Sequence, residues 1–186
     1  MLSSIAGTGW HSLVRMKPNL TDALCTRCGL CCDGSLFADV ELASTNEALA
    51  LEVMGLEIED DDGDGAQLLQ PCAALKGKRC GIYAHRPDCC RSFECRLLQE
   101  TRRGVVSVDE ARAKIAEALR RIEGVKKLIG QLGGRNDRLP LKERCAEALM
   151  SPADGRADPK WNRKREELEA AMAGVERLIQ KSFLNG

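Results

Sequence analysis

From Val105 onward the apolar residues fall into a helical rhythm. Val108, Ala111, Ile115, Leu119, Ile122, Val125, Ile129 and Leu132 return every three or four positions with Lys, Arg and Glu between them. That spacing predicts one long amphipathic helix, stopped by Gly133-Gly134. Trp161, Leu168, Met172, Val175, Ile179 and Ser182 or Phe183 repeat the pattern in a second long helix. Leu141 to Met150 predicts a shorter one, ending before Ser151-Pro152. The two long helices can bury their stripes on each other as a hairpin, or against the preceding part of the chain. Upstream the pattern is weaker. Leu42, Leu49, Val53 and Leu56 predict a helix within Leu36 to Leu56, and Ser44-Thr-Asn-Glu47 has the form of a capping box that would start it at Ser44. Glu59 to Gly65 reads as an acidic, glycine-broken loop. Gln67 to Pro71 and Gly81 to Tyr83 read as short strands around a hairpin tip at Lys76 to Arg79. The expected fold is α+β and mostly α: residues 1–104 as a small cysteine-rich domain with a short β-hairpin, and 105–186 as a helical-hairpin extension.

Composition narrows this picture. Aromatic residues make up 3% of the 186, so the core must come from Leu, Ile, Val and Ala. Formal net charge is zero, which gives no whole-molecule steering toward nucleic acid. Apolar runs fall far short of the ~20 residues that span a bilayer. Residues 1–20 lack the charged and apolar regions of a secretory leader. A cytoplasmic, non-membrane protein is expected, with thiols kept reduced, so the ten cysteines are not read as a disulfide framework.

Eight of those cysteines form two knots. The first is Cys25-Thr-Arg-Cys28-Gly-Leu-Cys31-Cys32; the second runs through Cys72, Cys80, Cys90 and Cys95. Thiolates two residues apart on a turn can face one ion, and soft sulfur selects zinc, iron–sulfur or cuprous centres over magnesium or calcium. The triplet has the spacing that opens a bacterial ferredoxin run, but Cys32 follows at once where a Cys-Pro is required three residues on. Zinc sites more often use two separated Cys-x2-Cys pairs. Adjacent Cys31 and Cys32 point in different directions on an extended backbone and could serve two ions. Around the second knot, Lys76, Lys78, Arg79, Arg86, Arg91, Arg96, Arg102 and Arg103 outnumber Asp88, Glu94 and Glu100. Such an excess suits thiolates, with Arg86 and Arg91 placed to support the sulfur ligands.

With its surroundings, Cys25-x2-Cys28-x2-Cys31-Cys32, then Cys72, then Cys80-x-Ile82-Tyr83-x2-Arg86-Pro87-x2-Cys90-Arg91-x-Phe93-x-Cys95, the chain resembles the YkgJ-type CxxCxxCC cysteine-cluster family over Leu24 to Arg96. The resemblance implies zinc or iron chelation, with Cys25, Cys28, Cys31, Cys32, Cys72, Cys80, Cys90 and Cys95 as the metal ligands. A similar cluster in flagellin lysine-N-methylases implies an iron–sulfur centre. Cys89 and Cys145 fall outside the ligand set and read as accessory or structural.

The remaining signals are slight. Asp60-x-Asp62-x-Asp64-Gly65 opens like a calcium loop, but Pro71 stands where the bidentate Glu is needed. His85 sits beside the second knot, most simply as an exposed residue before Arg86-Pro87. Arg156 to Arg165 is basic with one Trp, but Glu166, Glu167 and Glu169 follow, as at a helix start on a mixed surface. Three functions stay open: a non-catalytic zinc or iron protein, an iron–sulfur enzyme or redox protein, and a cuprous-ion buffer. The metal ion is the expected partner, and the C-terminal helices offer a surface for a protein partner.

Overall fold

The structure, a computed structural model, describes residues 19–61, 65–150 and 159–184. The leader reading of residues 1–20 therefore falls almost wholly outside the described residues. So do the tip of the acidic loop and the first part of the basic stretch before Trp161. The chain is α+β and mostly α, and the two long helices stand where the periodicity puts them. α1 is Leu20–Cys28, followed by β1 (Asp39–Glu41), α2 (Thr45–Val53), β2 (Ile58–Asp61), β3 (Gly65–Leu69), β4 (Leu75–Lys76) and β5 (Arg79–Cys80). A 3-10 turn at Tyr83–His85 leads into α3 (Asp88–Ser92), α4 (Arg96–Arg102), α5 (Val108–Gln131), α6 (Leu141–Met150) and α7 (Pro159–Ser182).

α5 begins at a full capping box: the Ser107 hydroxyl accepts from the Glu110 N–H, and the Glu110 carboxylate accepts from the Ser107 N–H. Ala111, Ile115, Ala118, Ile122, Val125 and Ile129 line its buried face, and Leu168, Met172, Val175 and Ile179 of α7 meet them. This interface is not confined to the hairpin. Leu24 and Leu30, at and just after α1, and Leu97 and Leu98 of α4 join the same core, as does Phe183 at the end of α7. No helix among the described residues is long and apolar enough to cross a membrane.

The segment expected as a helix from Leu36 to Leu56 is only partly one. Ser44 is extended (φ −165°, ψ 159°) and its hydroxyl accepts from the Glu47 N–H at 3.3 Å, so the helix starts there. Upstream, Asp39–Glu41 pairs with Gln67–Leu69 instead, making β1 an edge of a β1-β3-β2 antiparallel sheet. The buried positions of α2 are Ala48 and Leu51, whereas Leu49 and Val53 are exposed. The strand pairing, a contact made over long sequence separation, overrides the helical spacing of Leu42 and Leu49. The acidic stretch contributes β2 up to Asp61 and is not all loop. The hairpin tip at Lys76 to Arg79 is present as β4–β5, with Leu75 facing Cys80. The expected strand at Gly81 to Tyr83 is absent, since β5 ends at Cys80 and the chain turns. Leu42, Ala48, Leu51, Leu56, Leu68, Cys72 and Ala74 form a second, smaller core beneath this sheet.

Candidate metal centre

The first knot owes its shape to a helix end. α1 is capped by the Asn19 side chain, which accepts from the Thr21 N–H at 3.1 Å, and it stops at Gly29 with φ 74°. A left-handed residue at that place favours glycine and turns the chain back. A Cβ there would lie 3.3 Å from the Lys78 Cα, so the turn also packs against the β4–β5 hairpin. The Cys32 N–H then donates to the Gly29 carbonyl at 2.9 Å. Cys25 and Cys28 stay on one face of α1, three residues apart. Leu30, fully buried in the larger core, pins the turn from which Cys31 and Cys32 project. Asp33 pairs with Lys126 of α5 at 3.7 Å, and the Gly34 carbonyl accepts from the Leu141 N–H at 2.9 Å.

The second knot is brought to the first by backbone bonds. The Cys72 N–H donates to the Cys32 carbonyl at 2.9 Å and to Gln70 Oε1 at 3.1 Å. Leu75 donates to the Cys72 carbonyl, and its strand partner is Cys80. Glu47 fixes α3: its carboxylate accepts from the Ala43 N–H at 2.9 Å and from the Asp88 N–H at 2.8 Å, immediately before Cys89 and Cys90. Cys95 caps α4, whose first N–H, on Arg96, donates to the Phe183 carbonyl at 3.0 Å. Phe37 and Phe93 meet edge-to-face at 5.1 Å, joining the loop after the first knot to the stretch between Cys90 and Cys95.

These connections enclose a cavity of about 860 Å³ between the two cores, and nine cysteines line it: Cys25, Cys28, Cys31, Cys32, Cys72, Cys80, Cys89, Cys90 and Cys95. All eight sequence candidates are among them. Cys89 is the addition, carried in by α3 beside Cys90; one turn of helix was too short to read from apolar spacing. Cys145 lies buried in α6 within the larger core, and His85 is exposed; neither lines the cavity. All ten thiols are free.

Burial and the repulsion of neighbouring thiols hold Cys25, Cys28, Cys31, Cys32 and Cys90 above the ordinary thiol range. The Cys25 thiol is pushed up to about 11 by burial first and then by Cys95. Burial likewise pushes Cys28 and Cys32 up to about 12, and Cys31 and Cys90 further still. Arg86 acts in the opposite direction on both Cys25 and Cys32. Its guanidinium lies 3.8 Å above the Tyr83 ring and donates to the Tyr83 and Cys90 carbonyls. Arg91 donates to the Arg86 carbonyl at 2.6 Å and is otherwise largely exposed. A cation that displaced the thiol protons would offset the cost of burying these sulfurs. Among the described residues no three Cys, His, Asp or Glu side chains are already gathered around one point. The donor set nonetheless fits a thiophilic ion: nine cysteines line the cavity against four carboxylates, Asp22, Asp39, Glu41 and Glu94.

A family model described as "CxxCxxCC: Putative zinc- or iron-chelating domain" matches residues 24–117, which is half of the chain. No curated protein and no solved structure matches.

Proposed function

This chain belongs to the CxxCxxCC family, and on that premise we propose that it is a cytoplasmic protein that holds zinc or iron through Cys25, Cys28, Cys31, Cys32, Cys72, Cys80, Cys90 and Cys95. The observation that carries the reading is the convergence of every cysteine of the motif on one cavity, from segments up to seventy residues apart. A fold that merely used cysteines as small apolar residues would scatter them through its cores, as it does Cys145. Bound zinc or iron would supply charge neutralisation and a cross-link between the two knots. Arg86 holds positive charge beside both, and Gln70 and the Cys32 carbonyl fix the orientation of Cys72.

A second reading, an iron–sulfur enzyme or redox protein, draws support from the cavity's size, which is within the ~300–1,000 Å³ of small-molecule sites. Anaerobic purification followed by elemental analysis and a visible spectrum tests both. Colourless protein with stoichiometric zinc supports zinc chelation. A visible band with iron and acid-labile sulfide supports the iron–sulfur reading. Protein that retains neither metal, and takes up neither when supplied, refutes chelation altogether.

A further inference from the structure

The eight candidate ligands are not evenly distributed around their cavity. Cys25, Cys28 and Cys95 pack against the larger, helical core, on α1 and at the start of α4, and these two helices touch. Cys72 belongs to the smaller core under the sheet, and Cys32 packs against it. Cys80 faces Leu75 at the open end of the β4–β5 hairpin, Leu75 donates to the Cys72 carbonyl at that same end, and Cys32 is tied to Cys72 by a backbone hydrogen bond. At the turn between them the chain touches both cores, with Leu30 and Leu36 on the larger one and Cys32 on the smaller.

Ile82 and Cys89 pack against the smaller core as well, which puts α3, and Cys90 with it, on the side of Cys32, Cys72 and Cys80. Cys31 follows Leu30, fully buried in the larger core, on the turn that leaves α1 with its Cys25 and Cys28. Arg86 also lines the cavity, and its guanidinium donates to the Cys90 carbonyl.

Resting on the chelation reading above, we propose that the cavity holds two separate ions. Cys25, Cys28, Cys31 and Cys95 bind the first, and Cys32, Cys72, Cys80 and Cys90 bind the second. Each set offers four sulfurs, the number that completes a tetrahedral thiolate site. Each thiol releases its proton to solvent as its sulfur takes the metal, so a four-thiolate zinc site carries a net charge of about −2. Arg86, between the sets, opposes the repulsion of two such centres. The CC pair thus has a physical reason. Its two adjacent thiols project from the turn after α1, so one peptide unit delivers a ligand to each ion while keeping the two sites in fixed relation.

Zinc titration of the reduced, metal-free full chain, read by elemental analysis after gel filtration, gives the stoichiometry. About two zinc ions per chain are expected, four thiolates each. Cys95→Ser and Cys80→Ser should each retain about half the metal, and the Cys95→Ser/Cys80→Ser double variant almost none, because serine does not replace a thiolate. Since a variant can fail for reasons of folding, a second measurement uses the unmutated chain. At limiting zinc, alkylation with peptide mapping should show protection in the two blocks named above. One zinc per chain in the unmutated protein, loss of all metal from either folded single variant, or protection that mixes the blocks overturns the division while leaving chelation intact. Absence of any zinc or iron uptake by the unmutated chain overturns the chelation reading and this proposal with it.

Discussion

Replacing Gly34 by alanine tests how the cysteine turn is held to the rest of the molecule. Gly34 follows Cys32-Asp33 and has φ 74°, a left-handed conformation that costs a residue with a Cβ about 1–2 kcal/mol. An added Cβ would stand 3.0 Å from the Pro140 Cα and 3.3 Å and 3.4 Å from the Pro71 ring. Both neighbours are stiff, one being backbone and the other a proline ring, so relief requires the turn to move. Such overpacking costs a further ~1–3 kcal/mol. Alanine also restricts the unfolded chain, which returns about 0.5 kcal/mol. The expected loss is about 1.5–4.5 kcal/mol. Gly55→Ala supplies the control: its φ is 83°, but nothing among the described residues lies within 4 Å of where its Cβ would stand, so only the backbone strain applies. Urea denaturation of both variants, reduced and metal-free, should place Gly34→Ala below Gly55→Ala by ~1–3 kcal/mol. Because the turn carries Cys32 toward Cys72, zinc content of Gly34→Ala should fall while that of Gly55→Ala stays whole. Equal stability and equal zinc in the two variants would refute the reasoning.

Three other outcomes are expected. Stripping the metal with a chelator should expose Leu24 to Arg96 to protease before the α5–α7 helices, since structural zinc can supply ~10–16 kcal/mol of apparent folding free energy; an unchanged cleavage pattern would show that the ion is not structural. Metal-stripped protein should keep its full stability below about pH 9 and lose it as pH rises from 9 toward 12. Unfolded thiols give up their protons first in that window, whereas Cys25 (about 11) and Cys28 and Cys32 (about 12) retain theirs in the fold. Denaturation midpoints at pH 8 and pH 10.5 measure this, with metal-loaded protein as the control for lysine and tyrosine titration; a fall no larger than the control's contradicts it. Cys145→Ser should leave metal content intact and cost ~1–3 kcal/mol for its buried hydroxyl, whereas Cys28→Ser and Cys90→Ser should lower metal content sharply by elemental analysis; equal metal loss from Cys145→Ser would place it among the ligands.

The parts of this molecule that can be read from sequence are those set by neighbours three or four residues away. The stripes of α5 and α7, the Ser44 cap and the Gly133-Gly134 stop are all local. The β1-β3-β2 sheet is not local, and its pairing of Val40 with Leu68 overrides a plausible helical spacing. Leu49 and Val53 have the right spacing for a core face yet lie outside, because the sheet packs on Ala48 and Leu51 instead. For the candidate centre, the motif names the eight cysteines but not their surroundings. That Glu47 would bridge two helix starts, or that Arg96 would find its acceptor in Phe183, depends on approaches across forty and eighty-odd residues. Cys89 entered the cavity through a five-residue helix that leaves no periodic trace.

The hydrogen bond from Arg96 to Phe183 sets an order of events during synthesis. Cys25, Cys28 and Cys31 emerge from the ribosome early, and Cys95 well after them. The helix that Cys95 caps lacks its acceptor until residue 183 has been made. A nascent chain therefore carries eight or nine reactive thiols with no finished enclosure around them. Until residue 183 is made, those sulfurs stand open to metal and to oxidants alike.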